Sequence, residues 1–136
     1  FDPVQKTAYL QDGLISAIQR IQASGHRVVL VQAVPGLPGW DPASCSTLSI
    51  LNSTCLPESF PQVIADEDQK LSRQAVSAAA EATGASVLDL RDYFCPEGVC
   101  AAARGDVILY SDAGHISVEA SKDLASRFVL AVLEAS

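Results

Sequence analysis

The sequence predicts an α/β chain, arranged as the second half of a three-layer α/β/α sandwich around a parallel sheet. Three observations predict it. Amphipathic stretches with an apolar residue every three to four positions alternate with short β-branched runs. The runs are apolar almost throughout, as strands covered on both faces are, rather than alternating with polar residues. The elements follow in the order helix–strand–helix–strand–strand–helix, which is that of layered crossover units.

Asp2-Pro3 predicts a helix start, with Asp as the N-cap and Pro at the first helical position. Leu10, Leu14, Ala17, Ile18 and Ile21 then recur at helical spacing, and Gly25 stops the helix. The run from Arg27 to Val34 reads as a buried parallel strand. From Pro35 to Pro61 the composition turns to Pro, Gly, Ser, Asn and Cys, a long loop of the kind that is more often functional than connecting. A second helix is expected from Gln62 to Thr83, with Leu71, Ala75, Val76, Ala79 and Ala80 inward and Gly84 as its stop. Ser86 to Leu90 reads as a second strand and Asp106 to Tyr110 as a third. Ser117 is a good N-cap, Glu119 complements the first-turn dipole, and the last helix extends toward Glu134 with Leu124, Phe128, Ala131 and Val132 on one face.

At 136 residues the chain is long enough for one domain with a modest core. Apolar residues are 49% and charged ones 18%, a globular rather than a disordered balance. The longest apolar run, Val28 to Val34, is interrupted by Gln32 and is far too short to cross a bilayer. The chain opens on Phe1 rather than Met, as expected of a piece of something longer, with any targeting segment outside it. Nine basic residues against sixteen acidic ones give a net charge of −7, with the cations scattered singly. That excludes nucleic acid and an anionic membrane surface as partners, since both demand concentrated positive charge.

The four cysteines fall into two local pairs, Cys45/Cys55 and Cys95/Cys100, each able to close a short loop. Neither pair has metal-site or thioredoxin spacing, and His26 and His115 are distant in sequence from both. Two structural disulfides, and therefore an extracytoplasmic compartment, are the expectation. No metal or organic cofactor is implied.

Asp112-Ala113-Gly114-His115 is the constellation that could carry chemistry. A histidine base needs a carboxylate on Nδ1–H to fix its tautomer and to stabilise the imidazolium formed in the transition state. An aspartate three residues earlier, across a tight turn at a helix entrance, can supply that bond. The same spacing equally suits an Asp that caps a turn beside an ordinary half-buried His, and with sixteen acids in 136 residues the motif alone is weak evidence.

The stretch Cys95-Pro-Glu-Gly-Val-Cys100, then Asp106 to Tyr110, then Asp112-Ala-Gly-His115-Ile-Ser117, resembles the end of the SGNH domain fused to bacterial acyltransferase-3 membrane proteins. That family's signature is a Cys-Pro-x-Gly-x-Cys loop, a strand, a D-x-x-H-L-[ST] block and a closing amphipathic helix; here Ile116 stands where Leu is usual. The strand ending in Val34-Pro35 is similar to the family's central strand. The resemblance implies an SGNH, flavodoxin-like parallel sheet and O-acylation chemistry through a Ser-His-Asp triad, with Asp112 and His115 as its acid and base. It also implies an acyl donor, a carbohydrate or glycolipid acceptor at the cell surface, and a membrane-embedded acyltransferase-3 domain as partner. The family's Gly-Asp-Ser nucleophile block does not occur in this sequence, and its only Asn is Asn52, in a Cys-flanked loop. Residues 1–136 are therefore expected to be the C-terminal part of one domain, with the serine and the oxyanion donors upstream. Half a parallel sheet leaves an open edge, so pairing with the other half, or dimerisation, is also expected.

Ser111 adjoins the pair but lacks the strand-to-helix elbow of a nucleophilic serine and is expected to order the turn. His26 reads as a surface or capping residue, and Asp89 with Arg91 as a structural ion pair or a cleft lining. Trp40 and Phe60 could wall an acyl or sugar group or cover the core. The reading from a different class is a non-catalytic, disulfide-stapled module that binds a cell-wall component or partner protein; a dithiol redox protein is a third, and would need free thiols at Cys95 or Cys100.

Overall fold

The computed structural model describes residues 2–40, 46, 48 and 55–135. They form two compact units, residues 1–33, 68–89 and 126–136 in the first and residues 34–67 and 90–125 in the second.

The first unit is built on a parallel β–α–β crossover. Helix α1 (Pro3–Ala23) starts where Asp2 takes the Val4 N–H on its side chain at 3.2 Å, with Pro3 where no amide is needed. It ends in a Schellman motif. Gly25, at φ 84°, donates its N–H to the Gln22 carbonyl, and His26 donates to that of Ile21. Strand β1 (Val29–Val31) pairs in parallel with β3 (Ser86–Leu88), in the register Val29↔Ser86, Leu30↔Val87 and Val31↔Leu88. Helix α2 (Gln62–Thr83), preceded in the chain by β2 (Phe60–Pro61), covers the predicted span, and Gly84 follows at φ 70°. Its part in this unit buries Ala75, Ala79 and Ala80, small side chains that bring a helix close to its neighbours.

Arg73 of α2 ties the strand ends together, donating to the Ala33 carbonyl at 2.9 Å and pairing with the Asp89 carboxylate. The buried Gln32 amide donates to Ser77 Oγ at 3.1 Å and to the Arg73 carbonyl at 3.3 Å. Helical periodicity located α1 and α2 but overstated their burial. Ile18 is buried in α1, whereas Leu10 and Ile21 are exposed, as is Leu71 of α2. The strands share this: Val31 is 46% and Val87 41% exposed, so the parallel pair is only partly covered.

The second unit packs around Phe94, Leu109, Tyr110 and Leu124, with Leu37, Leu90 and Ala120 also buried. Strand β2 runs antiparallel to β4 (Val99–Cys100), with Phe60 opposite Cys100. A short helix, α3 (Arg91–Phe94), leads into a 3₁₀ turn (Pro96–Gly98) in which Glu97 and Gly98 take φ 56° and 79°. The Cys95–Cys100 disulfide closes this loop, and both cysteines are buried. Cys45 lies outside the described residues, and with it the expected Cys45–Cys55 pairing.

The expected third strand is shorter than the sequence suggests and does not extend the parallel pair. Its Val107–Ile108 segment, β6, turns back antiparallel on β5 (Ala103–Arg104), with Ala103 opposite Ile108. The reason lies in Gly105-Asp106. A two-residue connection with Gly105 at φ 55° is a tight hairpin turn that a side chain at that position would strain. Helix α4 (Val118–Glu134) follows, capped by Ser117, whose Oγ accepts the Ala120 N–H at 3.0 Å and donates to the Ile108 carbonyl at 2.6 Å. The architecture is thus mixed α/β with three two-stranded sheets among the described residues. No described helix is long and apolar enough to cross a membrane.

Candidate active site

The turn between β6 and α4 has its base set by backbone pairing. Tyr110 and Ile116 form an antiparallel bridge, and Ser111 donates its N–H to the His115 carbonyl at 2.8 Å. Ser111 Oγ adds bonds to the carbonyls of His115 and Ile116, so this serine orders the turn.

Within the turn, one carboxylate organises everything. Asp112 Oδ1 accepts the N–H groups of Gly114 and His115, each at 2.9 Å. Its two oxygens also stand 2.8 and 2.9 Å from Nδ1 of His115. The Gly114 N–H, then the His115 side chain, hold the Asp112 carboxyl below the usual carboxylate range despite an opposing effect of desolvation, and the His115 N–H adds to them. Asp112 is therefore ionised at neutral pH and can only accept hydrogen bonds. It follows that Nδ1 of His115 carries the proton, and that the neutral ring keeps its lone pair at Nε2. The His115 side chain is 82% exposed, and Nε2 has no partner among the described residues. An imidazole held this way can take a proton at Nε2 and return it, while the carboxylate behind stabilises the charged ring.

A second segment reaches the crest of the turn. Leu37 donates its backbone N–H to the Ala113 carbonyl at 2.8 Å, and the Tyr110 hydroxyl donates to the Pro35 carbonyl at 2.6 Å. Neither contact is legible in the sequence, because each joins residues some 75 positions apart.

Asp89 pairs with Arg73, and Arg91 pairs with Asp66 at 3.0 Å. His26 is exposed beyond the end of α1. The Trp40 indole N–H donates to the Cys55 carbonyl at 3.0 Å, and Phe60 lies in β2 opposite Cys100. Among the described residues no group of three His, Cys, Asp or Glu side chains could hold a metal ion.

The described residues form a mixed α/β chain with an Asp–His pair just before its last helix. The comparison with family models makes this specific: the chain belongs to the SGNH domain family, described as fused to AT3 domains, whose model matches residues 2–129. No curated protein and no solved structure matches the chain.

Proposed function

We propose that this chain supplies the acid–base pair of a serine O-acyltransferase or esterase that acts on acyl esters of cell-surface glycans or glycolipids. The observation that carries the reading is the Asp112 carboxylate bonded to Nδ1 of an exposed His115. Nε2 of His115 takes the proton of a serine hydroxyl as its oxygen attacks the acyl carbonyl. The acyl–oxygen bond of the donor breaks, its oxygen leaves with the proton from Nε2, and an acyl-serine remains. The acceptor hydroxyl, or water, then repeats the sequence in reverse. Asp112 stays ionised throughout and orients the ring.

In this reading the serine lies in an upstream Gly-Asp-Ser segment of the same domain, and the whole is a three-layer α/β/α sandwich with β1 and β3 inside its parallel sheet. The family's association with AT3 domains supports tethering to a membrane acyltransferase-3 domain. The buried disulfide supports an extracytoplasmic location.

The test is fluorophosphonate labelling and ester turnover in the protein as its gene encodes it, before and after His115→Gln. Loss of the base should slow both by about 10³-fold or more while the circular dichroism stays the same. Unchanged labelling would refute the assignment. No adduct in the unaltered protein would favour the disulfide-stapled binding module instead.

A further inference from the structure

An exposed Asp–His pair does not hold itself still. In water, the attraction between two surface side chains contributes little beyond the entropy lost in aligning them. The orientation of His115 must then come from the backbone of its turn, and that backbone is fastened on two sides. Its base is set by the Tyr110–Ile116 bridge and the Ser111 N–H. Its crest is set by Leu37, a buried residue whose N–H holds the Ala113 carbonyl at 2.8 Å. A Cβ on Gly36 would stand 3.4 Å from that same oxygen, so this strap lies close against the turn.

What holds the strap is Tyr110. Its ring is 2% exposed and packs against Phe94 at 5.2 Å between centroids, and its hydroxyl donates to the Pro35 carbonyl at 2.6 Å. Pro35 is itself fully buried, so its carbonyl has little access to water as a substitute donor. Burial pushes the Tyr110 hydroxyl above its ordinary titration range, which keeps it a donor at any working pH. A phenylalanine would fill the same volume, so packing alone does not account for the hydroxyl.

We propose that Tyr110 is a positioning residue for the Asp112–His115 pair, acting through the Pro35–Leu37 strap. One residue thereby serves both fastenings: its backbone forms the base of the turn and its side chain anchors the strap that holds the crest. The role in catalysis rests on the function proposed above, but the positioning itself is measurable without a substrate.

The experiment is ¹⁵N NMR of the histidine rings, with kinetics alongside, in the protein as its gene encodes it. The His115 signals are assigned by their loss in His115→Gln. In the unaltered protein the neutral His115 ring is held as the Nδ1–H tautomer. In Tyr110→Phe the Nδ1–H fraction should fall, and kcat should drop roughly 10- to 100-fold with KM unchanged, the scale of a small misplacement of a catalytic group. Phe94→Leu, which loosens the same core but keeps the hydroxyl, should leave the tautomer ratio alone. Gly36→Val, which crowds the strap off the Ala113 carbonyl, should move the ratio in the same direction as Tyr110→Phe, and it answers the question if Tyr110→Phe fails to fold. An unaltered ratio in Tyr110→Phe, or in Gly36→Val where Tyr110→Phe does not fold, overturns the proposal. So does an equal shift in Phe94→Leu. If serine labelling proves independent of His115 while the ratio responds to Tyr110, the function proposed above falls and the strap stands; the converse result removes the strap alone.

Discussion

Removing the Cys95–Cys100 crosslink offers a quantitative test of what orders the loop before the hairpin. The bond closes a loop of sequence separation 5, and in the chain-entropy view a ring that small restricts the unfolded chain by about 2 kcal/mol. The loop also has local support: Cys95 donates its N–H to the Arg91 carbonyl at 2.7 Å, and Gly98 donates to that of Cys95 at 3.1 Å. These bonds do not replace the crosslink, because Glu97 sits at φ 56°, a conformation that L residues leave readily when nothing enforces it. The double variant Cys95→Ala/Cys100→Ala should therefore lose about 2 kcal/mol, plus a smaller cost for two buried sulfur atoms. With a urea slope of about 2 kcal/mol/M, the midpoint should fall by about 1 M or slightly more. Reduction of the unaltered chain also opens the disulfide of Cys55 and should lower the midpoint by at least as much. A midpoint that moves by less than about 0.3 M in both cases would refute the reasoning and would mean that the turn bonds alone order the loop.

Two further predictions address the turn and its helix. Ser117→Ala removes the cap of α4 and leaves the Ile108 carbonyl without its 2.6 Å donor, so chemical denaturation should register a loss of about 1–2 kcal/mol; no loss would mean the helix is capped otherwise. The Asp112 carboxyl titrates below its ordinary value in the folded chain, so what it contributes is fully present above about pH 4 and is lost as pH falls through the lowered value. The amide proton shifts of Gly114 and His115, followed by NMR, should stay flat down to about pH 4 and move only below it; movement centred well above that would contradict the assignment.

The parts legible in the sequence are those encoded by neighbours. Asp2, Gly25, Gly84 and Ser117 punctuate the helices as expected, and Asp112 meets His115 because three residues and a turn suffice to join them. What eluded the sequence depended on distant partners or on a weak local signal. Asp89 and Arg91 meet Arg73 and Asp66 of α2, which lie 16 and 25 positions away and are not pointed to by sequence adjacency. The strand read over Asp106–Tyr110 became half of a hairpin because Gly105 permits a two-residue reversal that β-branched periodicity does not reveal. The long-range bond from Tyr110 to Pro35 had no sequence signature at all. Helical faces were read correctly in phase but not in degree: Leu10, Leu71 and Val132 keep the apolar spacing and remain exposed.

That Asp112 and His115 share one turn also bears on how the molecule assembles. Closing a loop of three residues is entropically cheap and takes nanoseconds, whereas the bond from Tyr110 to Pro35 must wait for a search across 75 positions. The turn can close early, but the Asp112–His115 pair is aligned only once the Pro35–Leu37 strap is in place. In mild denaturant the His115 Nδ1–H fraction should therefore fall together with the Tyr110–Pro35 bond, because the quickly closed turn keeps its ring aligned only while the slowly assembled strap holds.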